Sequence, residues 1–173
     1  IALVVLGRRA IGRALEPFDL FWMEIDNQDP ESLAQLKSAQ RAPICTGEQL
    51  LGLRQYQPYF RRHAMDTVKV DVQWQGFSQA KKVAELAEVY ELNIAPHNYN
   101  SQLSSFQSLN LTAAVSNVRI MESDVDSSPW RDEITTQVPE IENGFMTIPD
   151  GPGWGCDLDE EAAKKYAFEG SDE

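Results

Sequence analysis

Residues 67–98, TVKVDVQWQGFSQAKKVAELAEVYELNIAPHN, read as strand, helix and strand. The β-branched run TVKVD (67–71) ends in Asp71, and NIAPH (93–97) ends in His97. Between them, FSQAKKVAELAEVYEL (77–92) is amphipathic. Val83, Leu86, Ala87 and Tyr90 form its inner face, with Lys81, Lys82, Glu85 and Glu88 in water. Parallel strands joined by a helical crossover end on the same rim, so Asp71 and His97 are expected to be neighbours. A carboxylate beside a histidine selects one tautomer and raises its basicity, which suits a general base near neutral pH. The pair is read as the proton-transfer part of an active site.

The same unit recurs on either side. Upstream, DLFWME (19–24) is a short strand ending in Glu24, and DPESLAQLKSAQR (29–41) is a helix with Asp29 as N-cap, Pro30 at its first position and Leu33, Leu36 and Ala39 inward. PICTGE (43–48) is a strand ending in Glu48, and 48–60 is a helix interrupted by Pro58. Downstream, 101–115 is a helix and NVRIME (117–122) a strand ending in Glu122. Five apolar runs thus end in Glu24, Glu48, Asp71, His97 and Glu122, at intervals of 24, 23, 26 and 25 residues. A doubly wound sheet also alternates strand and helix, but only a barrel gathers every strand end at one mouth. The expected fold class is therefore α/β, part of a (β/α)8 TIM-type barrel with about five β/α units.

Eight such units need about 200 residues, and only five strands precede the tail. This implies that the first strands lie outside the chain, which reads as the C-terminal part of a larger protein. RRAIGRALEP (8–17) has helical apolar spacing at Ala10, Ile11, Ala14 and Leu15. The expected domains are a partial barrel over 1–124 and a C-terminal segment over 125–173. That segment is rich in Pro, Gly and Asp, with one short strand near 145–148, a last helix at 159–166 and a frayed end, FEGSDE (168–173).

Glu24 and Glu48 have two readings: oxygen ligands of one hard cation such as Mg2+, or solvated strand-end acids. The regular spacing favours the first, with Asp26 as a weaker candidate or a turn residue. Lys69 points to the same inward face as Asp71, either in a polar interior layer or paired with a carboxylate. Glu122 donates a hydrogen bond to a substrate carboxylate when protonated, or is a plain strand-end acid. Trp74 and Trp130 shape the pocket or simply pack, and His63 reads as a surface residue.

The formal net charge of -12 argues against nucleic acid and anionic membrane as partners. It also implies that an anionic substrate needs a local positive centre. IALVVL (1–6) is too short for a signal peptide or membrane span. Cys45 and Cys156 show neither metal spacing nor a disulfide framework, so a reducing cytoplasm is the expected location. No Gly-rich phosphate loop and no Ser-His-Asp arrangement is present.

ALEPFDLFWME (14–24), PICTGEQL (43–50), VKVDVQWQGFSQAKKVAELAEVY (68–90), IAPHN (94–98) and IPDGPGWG (148–155), taken in order, resemble the enolase superfamily, mandelate racemase/muconate lactonizing enzyme group. The resemblance runs from about Ala10 to Tyr166. It implies that Glu24 and Glu48 are the second and third Mg2+ ligands and Asp71 and His97 the acid/base dyad. Glu122 would meet the substrate carboxylate or the enolate. It implies abstraction of the proton α to a carboxylate, most of all in dehydration of an acid sugar, with racemisation or epimerisation of a 2-hydroxy acid as the alternative. A homo-oligomer is expected for the full-length form.

The family's first metal ligand, an Asp ending strand three, has no counterpart here, because no acid precedes Glu16. Its strand-two lysine motif and N-terminal capping domain are also absent from these residues. IALVVL would then be a remnant or replacement of strand-three sequence, the 125–173 segment would pack on the cap, and the chain alone would be inactive. A different class of reading is a catalytically incompetent homologue acting only in binding or assembly.

Overall fold

The computed structural model describes residues 2–125 and 128–167. The chain opens with α1 (Ala2–Leu15) and a 3-10 turn (Glu16–Phe18). Four units follow: β1 (Met23–Glu24) with α2 (Pro30–Lys37), then β2 (Ile44–Thr46) with α3 (Gly52–Arg61). β3 (Thr67–Val68) leads through a single turn, α4 (Val72–Gln75), into α5 (Phe77–Val89), and β4 (Asn93–Ile94) into α6 (Gln102–Ala113).

The strands are parallel and lie in the order β1-β2-β3-β4. Register pairs Glu24 with Cys45, Thr46 with Val68 and Val68 with Ile94. A fifth position follows as a parallel bridge between Ile94 and Val118. In a doubly wound sheet the strand order reverses at a switch point. Here spatial order equals chain order, which is the arc of a barrel. Helices cover the arc, and Leu33, Leu36, Ile44, Tyr56, Phe60, Val68, Val70, Val83, Ala87 and Ile94 form one core. In α5 the buried set is Ala80, Val83, Ala84 and Ala87, while Leu86 and Tyr90 are half-buried against it.

Several expectations change. IALVVL is not strand sequence: from Ala2 onward it belongs to α1, continuous with the helical run that follows. The Ile11 stripe of that helix is exposed, and Gly12 is the buried side, where a Cβ would lie 2.6 Å from Gln40 Oε1. Helical spacing identified α1 but not what it packs on. Pro58 does not interrupt α3, which runs on to Arg61. A mid-helix proline costs about 3 kcal/mol, and burial of the neighbouring Tyr59 and Phe60 offsets it.

The C-terminal segment holds α7 (Pro129–Glu133), β5 (Ile141–Glu142), β6 (Phe145–Met146) and α8 (Glu160–Lys164). The single strand expected near 145–148 is half of a hairpin, closed by Asn143 and Gly144 at φ 51° and 82°. That dipeptide is the usual two-residue hairpin turn. The segment also meets the barrel: Asn110 Nδ2 donates to Trp154 O at 3.1 Å, and the Trp154 and Phe77 rings lie 5.4 Å apart. The FEGSDE end lies outside the described residues.

Gly47 fixes how closely α3 approaches the strand ends. At φ 115° it takes a conformation that disfavours other residues, and a Cβ would lie 3.1 Å from Tyr56 Cε1 and 3.2 Å from Lys69 O. The buried Tyr56 hydroxyl donates to Gly47 O at 2.8 Å, with Lys69 O 3.3 Å away, and accepts from Gln75 Nε2 at 3.3 Å. Tyr56→Phe is expected to cost about 1–2 kcal/mol, because buried carbonyls lose their donor. Urea unfolding measures it, and a loss below about 0.5 kcal/mol would show that the tie is unimportant.

Candidate active site

Asp71 and His97 face each other across a parallel bridge between the extensions of β3 and β4. The His97 N–H donates to Val70 O at 3.0 Å, which sets the strand position of the ring. Its Nδ1 lies 2.7 Å from Asp71 Oδ2. The other carboxylate oxygen, Oδ1, accepts from the Trp74 N–H at 2.7 Å and caps α4. Both oxygens of Asp71 are therefore committed, and its side chain is 1% exposed.

A neutral His97 that donates from Nδ1 to Asp71 leaves the lone pair on Nε2. That nitrogen faces Glu48 Oε2 at 3.6 Å and Glu122 Oε2 at 4.0 Å. The hydrogen bond His97 donates to Asp71 raises the proton affinity of His97 above the ordinary imidazole value; burial opposes this, and the Glu48 and Glu122 charges add to it. The indole of Trp74 stands 5.4 Å from the imidazole, so Trp74 does help to wall the site. Trp130 lies in α7 and is partly exposed.

The remaining strand ends converge on Lys69. Its Nζ lies 2.9 Å from Glu24 Oε1, 3.1 Å from Glu122 Oε1 and 3.9 Å from Glu48 Oε2, and its side chain is 5% exposed. Burial by itself pushes the ammonium pKa down. Hydrogen bonds and charges from Glu24 and Glu122 outweigh it and hold the pKa above the usual lysine value. Burial also pushes the Glu48 carboxyl up, His97 counteracting it. Beneath them the buried Cys45 thiol is pushed up to about 12 by burial, which keeps it an inert packing group.

All five expected residues, Glu24, Glu48, Asp71, His97 and Glu122, thus come together at the strand ends, four carboxyl groups and one imidazole, with the Lys69 ammonium among them. Asp26 is exposed and accepts from Gln49 Nε2 at 3.2 Å. His63 is an exposed residue just past α3.

Two contributions were not legible. One is Lys69 as the shared partner of three carboxylates. The other is Asn98, whose backbone N–H donates to Glu122 Oε2 at 2.8 Å while its Nδ2 donates to Glu122 O and Ser105 Oγ at 3.0 Å. The polar run HNYNS after β4 was the available signal.

The donor set suits a hard dication: carboxylate oxygens on adjacent strand ends, already gathered about a positive charge. Glu24 and Glu48 could hold such an ion. Among the described residues no three His, Cys, Asp or Glu side chains are grouped closely enough to hold an ion by themselves. A cleft of about 480 Å3 beside α3, lined by Gln28, Gln49, Gln55 and Tyr59 among others, carries no charged side chain. The titratable cluster lies at the strand ends instead. Among the described residues no helix is long and apolar enough to cross a membrane.

Residues 5–162 match the family model described as enolase C-terminal domain-like. The chain is 27% identical over 167 residues to the D-xylonate dehydratase of Haloferax volcanii, covering 94% of this chain and 40% of that protein. It is 31% identical over 157 residues to the L-talarate/galactarate dehydratase of Salmonella typhimurium, covering 89% and 37%. Among solved structures it resembles a candidate L-alanine-DL-glutamate epimerase from Burkholderia xenovorans, bound to magnesium and fumarate. That match has a TM-score of 0.90 and 43% identity, covering 93% of this chain and 40% of that one. The chain therefore spans about 40% of the length of relatives it matches. With its consecutive parallel arc and strand-end site, it belongs to the enolase C-terminal domain-like family, within the enolase superfamily.

Proposed function

We propose that this site abstracts the proton α to a carboxylate, as part of an enzyme acting on acid sugars, with Mg2+ held by Glu24 and Glu48. The observation that carries the reading is the 2.7 Å contact of His97 Nδ1 with Asp71, which turns Nε2 toward the carboxylate cluster. An α-proton beside a carboxylate is very weakly acidic, and its loss builds negative charge on the substrate. The metal, when bound, neutralises that charge.

The chain's own residues do the rest. His97 Nε2 takes the proton, and Asp71 stabilises the imidazolium that results. In a dehydration His97 then returns that proton to the departing β-hydroxyl, which leaves as water. Glu122, fixed by Asn98, is proposed to meet the substrate carboxylate or the enolate. The relatives named as dehydratases support loss of water as the outcome. One observation favours a second outcome: the candidate epimerase shares 43% identity, more than the dehydratases compared. There the proton would have to reach the opposite face of the carbon from a group other than His97, because its return by His97 to the same face restores the starting configuration. We also propose the division into a partial barrel, 1–124, and a C-terminal segment, 125–173.

The test is Mg2+-dependent incorporation of solvent deuterium at the α-carbon, on a panel of acid sugars and alanylglutamate. Exchange asks only for the base and the cation, so it suits a chain spanning about 40% of its relatives. Loss of water alongside exchange selects the dehydratase; exchange alone selects the epimerase. Exchange no faster than with Mg2+ and free imidazole overturns the proposal. Removing one carboxylate ligand, Glu48→Gln, is expected to weaken Mg2+ binding about tenfold or more by calorimetry. Equal affinity in both proteins excludes Glu48 as a ligand.

A further inference from the structure

Lys69 is the one charged group in the site that the proton-transfer scheme does not use. Its position is unlike that of a surface ion pair. The side chain is 5% exposed, and its ammonium is shared by carboxylates from three other strand ends. Two of those, Glu24 and Glu48, are the proposed metal ligands. Ammonium and Mg2+ both seek anionic oxygens, and two cations a few ångströms apart repel strongly in a partly buried site. The same oxygens cannot serve both fully. Lysine, a point charge on a flexible four-carbon stem, is able to move aside. Glu122 Oε1 at 3.1 Å gives it a partner that is not needed as a ligand.

We propose that Lys69 is an internal competitor for the cation site: it holds Glu24, Glu48 and Glu122 together before a dication binds, and withdraws onto Glu122 when one does. The inference rests on the reading that Glu24 and Glu48 hold the dication. Lys69 is then a positioning residue. It keeps clustered carboxylates from repelling one another in the metal-free protein, and it weakens metal binding relative to what those oxygens alone would give.

The experiment compares Mg2+ binding by calorimetry, with Mn2+ binding by electron paramagnetic resonance, in the wild type, Lys69→Met and the charge-balanced pair Lys69→Met/Glu122→Gln. Both variants are expected to bind each ion about tenfold more tightly, a modest share of one unit charge at this range. Lys69→Met is also expected to unfold at lower urea without metal and to gain more from added Mg2+. Should that variant fail to fold, the charge-balanced pair carries the test.

Affinity unchanged or weaker in both variants, with the wild type still binding Mg2+, overturns the competition and leaves the metal reading intact. A gain confined to Lys69→Met overturns it too, because net charge would then suffice. Binding by none of the three proteins removes the metal reading, and the competition with it.

Discussion

With His97 replaced by alanine, α-deuterium incorporation is expected to fall roughly a hundred- to ten-thousand-fold, the usual contribution of a positioned general base. The size follows from the site's geometry. Within the described cluster Lys69 is held charged by its carboxylates, which leaves the His97 imidazole as the nitrogen base. The carboxyl groups near the substrate position already have partners: Glu24 with Lys69, Glu48 with His97 at 3.6 Å and Lys69 at 3.9 Å, Glu122 with Lys69 and Asn98, and Asp71 with Trp74 and His97. None is placed to take over as base without losing a partner.

The imidazole is 11% exposed, so its removal also opens a small space beside Trp74. His97→Gln fills most of that space without supplying a base, and is expected to be as slow as His97→Ala. Exchange surviving within a few-fold in either variant, with melting unchanged, would assign the proton transfer elsewhere. Rates for both variants at saturating Mg2+ separate loss of the base from weaker cation binding.

What the sequence made legible has a common physical basis, namely short-range periodicity. α5 was readable because Val83 and Ala87 recur at helical spacing. The strand ends were readable because each apolar run closes on one ionisable residue, and a parallel arc places all such ends on one rim. Lys69 was readable as inward-facing and as a candidate partner of one carboxylate, but not as the partner of three. Its partners come from chain positions 45, 21 and 53 residues away, and no local pattern encodes contacts between side chains from separate strands. Asn98 was missed for the same reason: its bonds to Glu122 exist only once β4 and the following strand position lie side by side. The β5–β6 hairpin is different, because Asn143-Gly144 marked it and the flanking residues were too few to read as strands. α1 failed in yet another way, since a run such as IALVVL suits a buried strand or a helix equally well.

Asp71→Asn is expected to slow exchange about a thousand-fold or more, although it removes no atom that touches the substrate. A carboxylate behind a catalytic histidine holds one tautomer, and an amide in its place can select the other. Asparagine can keep the Trp74 N–H bond through its oxygen, which turns its NH2 toward His97 Nδ1. Nδ1 then accepts, Nε2 carries the proton, and the base is lost with the geometry intact. The same substitution removes the main cause of the raised proton affinity of His97, so its midpoint, followed by NMR without metal, is expected to fall.

The linked stability has a definite sign. A histidine whose folded midpoint lies above its unfolded value, near 6.5, contributes stability that is fully present below that value and lost as pH rises through the folded midpoint. Metal-free wild type should therefore lose stability to urea as pH climbs through that window, and Asp71→Asn should lose less. Glu48, raised by burial, acts in the same sense, losing its contribution as pH climbs from the ordinary glutamate range, and that group is present in both proteins. An unmoved His97 midpoint, or the same slope in both proteins, would mean that the 2.7 Å contact does not set the chemistry of the ring.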